Sequence, residues 1–395
     1  MGFSISWDDV AEKADGDDFA GRYSFAEILS KRAGTVSADS HVFIEGDNYP
    51  ALKFLLPDYR QKIDLIYIDP PYNTGKKSFV YNDSFSVDTW LSFMKRRLVL
   101  ARELLAETGC IFIAIGQEEL FRLKLLCDLV FGEENFINDF MWLHGKGKKD
   151  LFSRTMQQST LCYAKNRKKL SPFVDYEITD WAKTNADGDE RGNWFSGSIS
   201  FSEERSNPNH QNYYEIVSPS GKRWRRQWLV DRRLMESLIA ENKIYWGQAP
   251  DFANVPRRKI FNGEMNPIIP KNIIDGTKST RASQMELDSL LGEKNCFDNP
   301  KPVELVQRFI QISNMRKDCL VLDFFAGSGT SFEAVVRQNK LDGGRRRCIL
   351  IQKPEPIEKA SSAFSTISGL CYERIKKTIP EKDGLLYFRC SEKDS

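Results

Sequence analysis

A short apolar segment that ends at a carboxylate and two prolines constrains the fold of this chain more than any other feature. Residues 64–69 read Asp-Leu-Ile-Tyr-Ile-Asp, and Pro70, Pro71 and Tyr72 follow directly. Proline has no backbone N–H, so a strand formed here cannot continue its ladder beyond Asp69. In parallel α/β sheets, ligands bind beyond the carboxyl ends of the strands. We therefore expect Asp69 and Tyr72 to face a pocket suited to a planar molecule with an amino group.

Apolar strands and amphipathic helices alternate on both sides of this segment. Apolar residues at three-to-four spacing predict helices, and short continuous apolar runs predict buried strands. The alternation predicts an α/β fold, a Rossmann-like doubly wound and mostly parallel sheet. Residues 25–32 are predicted to be weakly helical, and residues after 379 form a tail to which we assign no role. The predicted strands are 41–45, 64–69, 110–115, 319–323 and 348–352, and the predicted helices include 88–105 and the segment that starts at Val303.

Between about residues 139 and 295 the alternation fades, and turn-forming Asn-Pro-Asn and Pro-Ser-Gly stretches separate short apolar segments. Five tryptophans lie between Trp181 and Trp246, and we expect them to form a local core, because a small irregular domain needs large aromatics to bury area. Residues 221–260 hold ten Lys or Arg and four acids. This basic character suits a surface that follows phosphates.

Composition limits the functional classes. The hydrophobic content of 41% and charged content of 28% are ordinary for a globular protein. The sequence shows no signal peptide and no apolar run long enough for a membrane span, so we expect a cytoplasmic protein without a membrane partner. The eight cysteines form no CxxC pair and are expected to be buried thiols. With only three histidines, a metal centre or a Ser-His-Asp triad is poorly supplied.

A second motif, Asp323 to Thr330, reads Asp-Phe-Phe-Ala-Gly-Ser-Gly-Thr and follows an apolar run. A strand, a glycine-rich turn and a helix in succession let backbone N–H groups approach a ligand closely. The motif lacks the lysine of a P-loop and the third glycine of a dinucleotide fingerprint. By itself the motif is a weak signal, and a plain structural turn is the alternative.

Together the two motifs resemble those of the S-adenosylmethionine-dependent amino-methyltransferases of DNA. Asp-Pro-Pro-Tyr is the catalytic tetrapeptide of that family, and Phe-x-Gly-x-Gly is its cofactor loop. Because the catalytic motif comes first, the order is that of the β class. Four further stretches are similar to the modification subunits of type III restriction systems: Gly46-Asp47-Asn48, Tyr72-Asn-Thr-Gly75, Asn299-Pro-Lys-Pro302 and Asp342-Gly-Gly-x-Arg-Arg. The likeness covers about residues 40–140 and 295–375.

The resemblance implies a circularly permuted methyltransferase order with four segments. These are an N-terminal extension (1–38), a catalytic half (39–138), a target-recognition insert (139–297), and a cofactor-binding half with a C-terminal tail (298–395). In the insert, the candidates for DNA binding are Arg223, Arg225, Arg226, Arg257 and Arg258.

The resemblance also implies roles for individual residues in methyl transfer to the N6 atom of an extruded adenine in duplex DNA. Asp69 and the Pro70 carbonyl accept hydrogen bonds from the exocyclic amine, Pro71 restricts the loop, and Tyr72 stacks on the base. S-adenosylmethionine is the implied cofactor, with no metal. Its implied binding residues are Asp47, Lys301, Pro302, Asp323, Phe324, Phe325, Ala326, Gly327, Gly329, Thr330, Gln352 and Glu355. The family places an acidic ribose ligand where this chain has Gln352, so the ribose contact stays open between Gln352 and Glu355.

Several alternatives remain open at the level of sequence. One keeps the fold and changes the acceptor to cytosine N4 or to an RNA base. Another is a catalytically silent nucleic-acid-binding subunit, against which the intact motifs argue, and a third is a nicotinamide oxidoreductase, which lacks the third glycine. The resemblance implies duplex DNA as a partner, and it leaves open a second copy of the chain and a restriction subunit as further partners.

Overall fold

The computed structural model describes residues 23–31, 40–75, 85–148, 152–178, 180, 182–357 and 363–392. These residues form two compact units. The first contains the described residues up to Phe173 and those from Pro270 onward, and the second contains the residues from Val174 to Ile269.

The secondary structure of the described residues is numbered here in chain order. The strands are β1 (Tyr23–Lys31), β2 (His41–Glu45), β3 (Ile63–Ile68), β4 (Leu105–Ile115), β5 (Phe136–Lys148), β6 (Thr155–Ala164), β7 (Asp175–Ile178), β8 (Trp194–Ser198), β9 (Tyr213–Val217), β10 (Arg223–Gln227), β11 (Ile244–Tyr245), β12 (Arg257–Phe261), β13 (Met265–Ile268), β14 (Ile273–Ile274), β15 (Leu320–Asp323), β16 (Arg347–Gln352) and β17 (Leu385–Glu392). The helices are α1 (Asn48–Tyr59), α2 (Val87–Leu104), α3 (Leu120–Phe131), α4 (Arg232–Ala240), α5 (Thr280–Leu291), α6 (Val303–Ile312), α7 (Thr330–Asp342) and α8 (Ile367–Thr378), and a 3₁₀ turn spans Glu133–Asn135.

The first unit is built on a ten-stranded sheet in the order β1-β17-β2-β16-β15-β3-β4-β6-β5-β14. The six strands from β17 to β4 run parallel to one another, while β1 and β6 are antiparallel to their neighbours. Helices cover both faces. Ile66 and Ile68 pack with Trp90 of α2 on one face, and Leu65 packs with Phe309 of α6 on the other. The predicted α/β, mostly parallel doubly wound sheet is confirmed.

Two sequence-based expectations differ from the structure at the edges of this sheet. Residues 25–32 were predicted to be weakly helical, but Tyr23–Lys31 is a strand that pairs antiparallel with β17. The prediction was wrong because backbone hydrogen bonds to a distant strand override a weak local preference. The tail after residue 379 contributes β17, which lies between β1 and β2.

The second unit is narrower than the predicted insert of residues 139–297. Strands β5, β6 and β14 and helix α5 fall within those numbers, yet they belong to the first unit. The second unit contains a β9-β10 hairpin, a three-stranded sheet in the order β11-β12-β8, the pair β13-β7, and helix α4. Its core includes Trp224, Trp228 and Trp246, and Trp194 is also buried, which confirms the expected local core. Trp181 lies outside the described residues.

All eight cysteines are free thiols. Seven are buried and Cys390 is half-buried, as the sequence predicted. Within the described ranges, no helix is long and apolar enough to cross a membrane.

Candidate active site

A cavity of about 880 Å³ opens at the carboxyl ends of β3 and β15, which are adjacent strands of the sheet. Asp69 follows β3 directly, and Asp323 is the last residue of β15. The two motifs, which are some 250 residues apart in the sequence, therefore share one cavity. Its wall includes the following predicted residues: Asp47, Asp69, Pro71, Tyr72, Lys301, Asp323, Phe324, Phe325, Ala326, Gly327, Thr330, Gln352 and Glu355.

The Asp69 carboxylate is held by two side chains. The Tyr72 hydroxyl donates to Oδ1 at 2.6 Å, and the Lys301 ammonium group donates to Oδ2 at 2.6 Å. Lys301 is only 9% exposed and also lies over the Tyr72 ring, 5.1 Å from its centroid. Gln158 of β6 donates its amide N–H to the Tyr72 hydroxyl. The family resemblance implies that Lys301 contacts the cofactor, and the sequence gives no indication of Gln158.

The loop that carries Asp69 is fixed from outside the cavity. The indole N–H of Trp90 donates to the Pro71 carbonyl at 2.9 Å. Asn73 has φ of 55°, in the left-handed region that asparagine tolerates better than most residues. Its amide donates to Glu119 at 2.8 Å, and its side-chain oxygen accepts from the Phe85 N–H at 2.8 Å. These contacts hold the Pro-Pro-Tyr loop in one conformation.

Asp323 is a buried carboxyl group with 2% exposure. It accepts the Phe325 N–H at 3.0 Å on Oδ1 and the Ser331 hydroxyl on Oδ2. Burial raises the pKa of Asp323 to about 7, the nearby Asp69 charge acts in the same direction, and the two hydrogen bonds oppose the shift. A carboxylate in this position is poised to bind a cationic group, because such a group would offset the cost of burying its charge.

The glycine-rich turn after β15 needs backbone conformations that favour glycine. Gly327 has φ of 54° and Gly329 has φ of 83°. A Cβ on Gly329 would lie 3.1 Å from the Cys371 Sγ. The buried Arg374 supports the turn from below: its guanidinium donates to the Ser328 carbonyl at 3.3 Å and to the Thr330 hydroxyl at 3.1 Å. One side of the turn therefore packs closely against Cys371 and Arg374, and the other side faces the cavity.

Asp47 caps helix α1 and contacts an arginine. Its side chain accepts the Tyr49 N–H at 2.8 Å, and Arg97 donates to it at 3.1 Å. Arg97 also donates to the side chain of Asn48, whose amide donates to the Phe324 carbonyl at 2.7 Å. This chain of contacts connects the amino end of α1 to the glycine-rich turn. The sequence singled out Asp47, and it gave no indication of Arg97.

The two candidates for the ribose contact have different surroundings. Gln352 is bonded at both ends of its amide, since its oxygen accepts the Gly327 N–H at 2.7 Å and its nitrogen donates to the Lys353 carbonyl at 3.1 Å. Burial raises the pKa of Glu355, while the Lys353 charge lowers it.

Among the described residues that line the cavity, the predicted Pro70, Pro302 and Gly329 do not appear.

A polar wall on the far side of Tyr72 was not predicted from the sequence. It comes from the ends of β5 and β6 and contains Trp142, His144, Thr155, Gln157 and Gln158. These residues lie within the numbers assigned to the insert, and only their pairing with β4 through β6 brings them to the cavity. Within the described ranges, no group of three or more His, Cys, Asp or Glu side chains is arranged to hold a metal ion.

The five predicted DNA-binding arginines lie on β10 and β12 of the second unit. Arg223, Arg225 and Arg257 are exposed, whereas Arg226 and Arg258 are partly buried. Arg223 pairs with Glu215 at 3.1 Å, Arg226 pairs with Glu203 at 3.0 Å, and Arg258 lies 3.8 Å from Glu264. Arg225 lies over the Tyr213 ring at 5.7 Å, and Arg257 donates to the Ser196 hydroxyl at 2.6 Å.

Comparison with known proteins matches residues 63–361 to the model of a family described as DNA methylase. The chain is 33% identical over 380 residues to the Mod subunit of the type III restriction-modification enzyme StyLTI of Salmonella typhimurium, covering 86% of this chain and 57% of that protein. It is 34% identical over 411 residues to the EcoPI Mod subunit of Escherichia phage P1, and the match covers 86% of this chain and 62% of that protein. It is 29% identical over 383 residues to the type II methyltransferase M.KpnI of Klebsiella pneumoniae, and the match covers 86% of this chain and 87% of that protein. The chain thus spans about three-fifths of the length of the two Mod subunits.

Proposed function

The chain belongs to the DNA methylase family, and from this premise we propose that it transfers a methyl group from S-adenosylmethionine to the N6 atom of an adenine in duplex DNA. One observation carries the proposal. Asp69 and Asp323 stand at the ends of adjacent parallel strands and face a single cavity large enough for two ligands side by side. An acceptor amine held at one carboxylate and a methyl donor held at the other would meet in that cavity.

The residues around Asp323 fit the proposed cofactor. The buried carboxylate suits the ammonium group of the methionine part, and Phe324 and Phe325 offer apolar surface. Because the amide of Gln352 is bonded to the protein at both ends, we assign the ribose contact to Glu355. When bound, S-adenosylmethionine supplies an activated methyl group. Asp323, Glu355 and the glycine-rich turn orient it.

The Asp69 end of the cavity fits an exocyclic amine. Its Oδ1 is occupied by the Tyr72 hydroxyl, so an incoming amine takes that position and Tyr72 gives up its bond. The Tyr72 ring then packs on the face of the base, with its loop still anchored by Trp90. Lys301 remains on Oδ2 and keeps the carboxylate oriented. Asp69 aims the nitrogen lone pair, and this contributes through positioning and electrostatic support.

The base must leave the duplex to reach this cavity, as it must for methyltransferases generally. We assign the DNA contacts to the second unit, in particular to Arg225 and Arg257, which are exposed and for which no carboxylate partner is found among the described residues. Arg226 and Arg258 face Glu203 and Glu264 and are better suited to holding the unit together. Since two relatives are named as Mod subunits of type III enzymes, we also propose a restriction subunit as a partner.

Methyl transfer tests the proposal directly. Purified protein is incubated with labelled S-adenosylmethionine and duplex DNA, and the product is digested to nucleosides. We expect label in N6-methyladenine with the wild type and none with Asp69→Ala. Asp58→Ala, which changes an exposed carboxylate on α1, is the matched control and should retain full transfer.

Three results would contradict the proposal in different ways. Label in N4-methylcytosine would keep the site and change the acceptor base. Label in RNA but not in DNA would change the substrate class. Binding of DNA without any transfer would indicate a silent nucleic-acid-binding subunit.

A further inference from the structure

Tyr67 is a buried side chain whose hydroxyl group lacks a hydrogen-bond partner among the described residues. It lies on β3, two residues before Asp69, and is 2% exposed. It also lines the cavity, and its ring stacks with that of Phe309, the two centroids being 6.0 Å apart. A buried tyrosine hydroxyl usually finds a partner, because leaving a polar group unpaired away from water is costly. The cavity is the side from which that partner would come.

The neighbouring carboxylates do not supply the missing partner. Asp323 lies next to Tyr67 on the adjacent strand, since Leu322 of β15 pairs with Ile66 of β3. The Asp323 carboxyl group accepts from Ser331 and from the Phe325 N–H, and the Asp69 carboxylate accepts from Tyr72 and Lys301, but neither accepts a hydrogen bond from the Tyr67 hydroxyl.

The protonation state of Tyr67 defines what kind of partner it requires. Burial raises the pKa of Tyr67 well above its ordinary value, and the charges of Asp69 and Asp323 act in the same direction. The phenol therefore keeps its proton and offers an O–H donor. The partner that fits it is an acceptor atom on a molecule bound in the cavity.

We propose that Tyr67 donates a hydrogen bond to the α-carboxylate of an amino-acid ligand whose ammonium group is bound by Asp323. This inference rests on the proposed function, because the amino-acid ligand is the methionine part of S-adenosylmethionine. The two groups of an amino acid are attached to one carbon, so an ammonium group at Asp323 places the carboxylate beside it. Lys301 lines the same cavity, and its positive charge offsets the negative charge of the bound carboxylate. Tyr67 thus selects a zwitterionic amino-acid end over a simple amine.

The test removes the Tyr67 hydroxyl group from the protein and, separately, the carboxylate from the ligand. Tyr67→Phe deletes only the hydroxyl. Binding of S-adenosylhomocysteine, which has the carboxylate, is compared by calorimetry with binding of 5′-S-(3-aminopropyl)-5′-thioadenosine, which lacks it. We expect Tyr67→Phe to bind S-adenosylhomocysteine at least tenfold more weakly than the wild type, the loss typical of one hydrogen bond to a charged acceptor. For the analogue without a carboxylate, wild type and variant should bind equally.

Tyr163→Phe is the matched control. Tyr163 is also fully buried, but its hydroxyl donates to Asp128 at 2.7 Å and to the Lys124 carbonyl at 3.2 Å. Tyr163→Phe should lower the melting temperature and leave both affinities unchanged. Tyr67→Phe should not lower the melting temperature of the ligand-free protein, because no hydrogen bond is lost.

The outcomes distinguish a failure of the proposed function from a failure of the role assigned to Tyr67. If the wild type binds neither ligand, the proposed function fails, and the inference fails with it. If the wild type binds both and Tyr67→Phe binds S-adenosylhomocysteine equally well, only the inference is overturned. An equal loss of affinity for both ligands would also overturn it, since that pattern indicates general damage to the cavity.

Discussion

The buried carboxyl group of Asp323 should make the stability of the ligand-free protein depend on pH. The pKa of Asp323 is raised from its ordinary value of 3.8 to about 7, chiefly by burial. Between these two values the folded protein holds a proton that the unfolded chain has already lost. The stabilisation by this proton is complete below about pH 4 and disappears as the pH rises through about 7.

The size of the effect follows from the two pKa values. Each tenfold difference in proton affinity is worth about 1.4 kcal/mol, so a change from 3.8 to about 7 corresponds to about 4 kcal/mol. Asp323→Asn removes the titration and keeps the shape of the side chain. The free energy of unfolding of the wild type, minus that of Asp323→Asn, should therefore fall by up to about 4 kcal/mol from pH 4 to 7 and stay level above that.

Urea denaturation of both proteins at half-unit pH intervals measures this difference. A bound ammonium group favours the ionised carboxylate, so the affinity for S-adenosylhomocysteine should rise about tenfold per pH unit below 7. Asp323→Asn should abolish that rise. A difference that does not change with pH, or one that grows as the pH increases, would refute the assignment of a buried carboxyl group that is protonated in the ligand-free protein.

Three further substitutions test individual contacts of the site. Lys301→Met should lower the rate of methyl transfer about 10- to 100-fold, since Asp69 loses a charged hydrogen-bond partner. The control Lys169→Met breaks an exposed ion pair and should leave the rate unchanged. Equal rates for the two variants would contradict the role of Lys301. Gly329→Ala should lower the free energy of unfolding by about 1–2 kcal/mol in thermal or urea melts because φ is 83°, and an unchanged stability would argue against that strain. Glu355→Gln should weaken S-adenosylhomocysteine binding about tenfold in calorimetry, and an unaltered affinity would return the ribose contact to Gln352.

The sequence predicted those parts of the site that depend on local chain geometry. The prolines after Asp69 end β3, and the glycines after Asp323 start the turn into α7. Each motif therefore predicts where the strand before it ends. The structure places both strand ends at the same edge of the parallel sheet. The resemblance to a known family added the roles, which remain proposals for this chain.

Contacts between distant residues could not be predicted in the same way. Lys301 and Asp69 are separated by 232 positions, and nothing in either stretch specifies that the ammonium group reaches the carboxylate. The compact second unit is narrower than the predicted insert for a related reason. Strand β5 ends in a glycine-containing stretch and β6 is followed by a turn rather than by a helix, and only the pairing of β6 with β4 and of β5 with β6 assigns these strands to the first unit. The unpaired Tyr67 hydroxyl is likewise visible only in three dimensions.

The central claim is that Asp69 holds the acceptor amine while a separate set of residues holds the cofactor. The most direct test measures two quantities on Asp69→Asn, which keeps the shape of the side chain. We predict that it binds S-adenosylhomocysteine within about twofold of the wild type, since Asp69 is not needed for cofactor binding, and that methyl transfer to DNA falls by at least about 100-fold. Transfer at the wild-type rate by a folded, cofactor-binding Asp69→Asn protein would contradict the account.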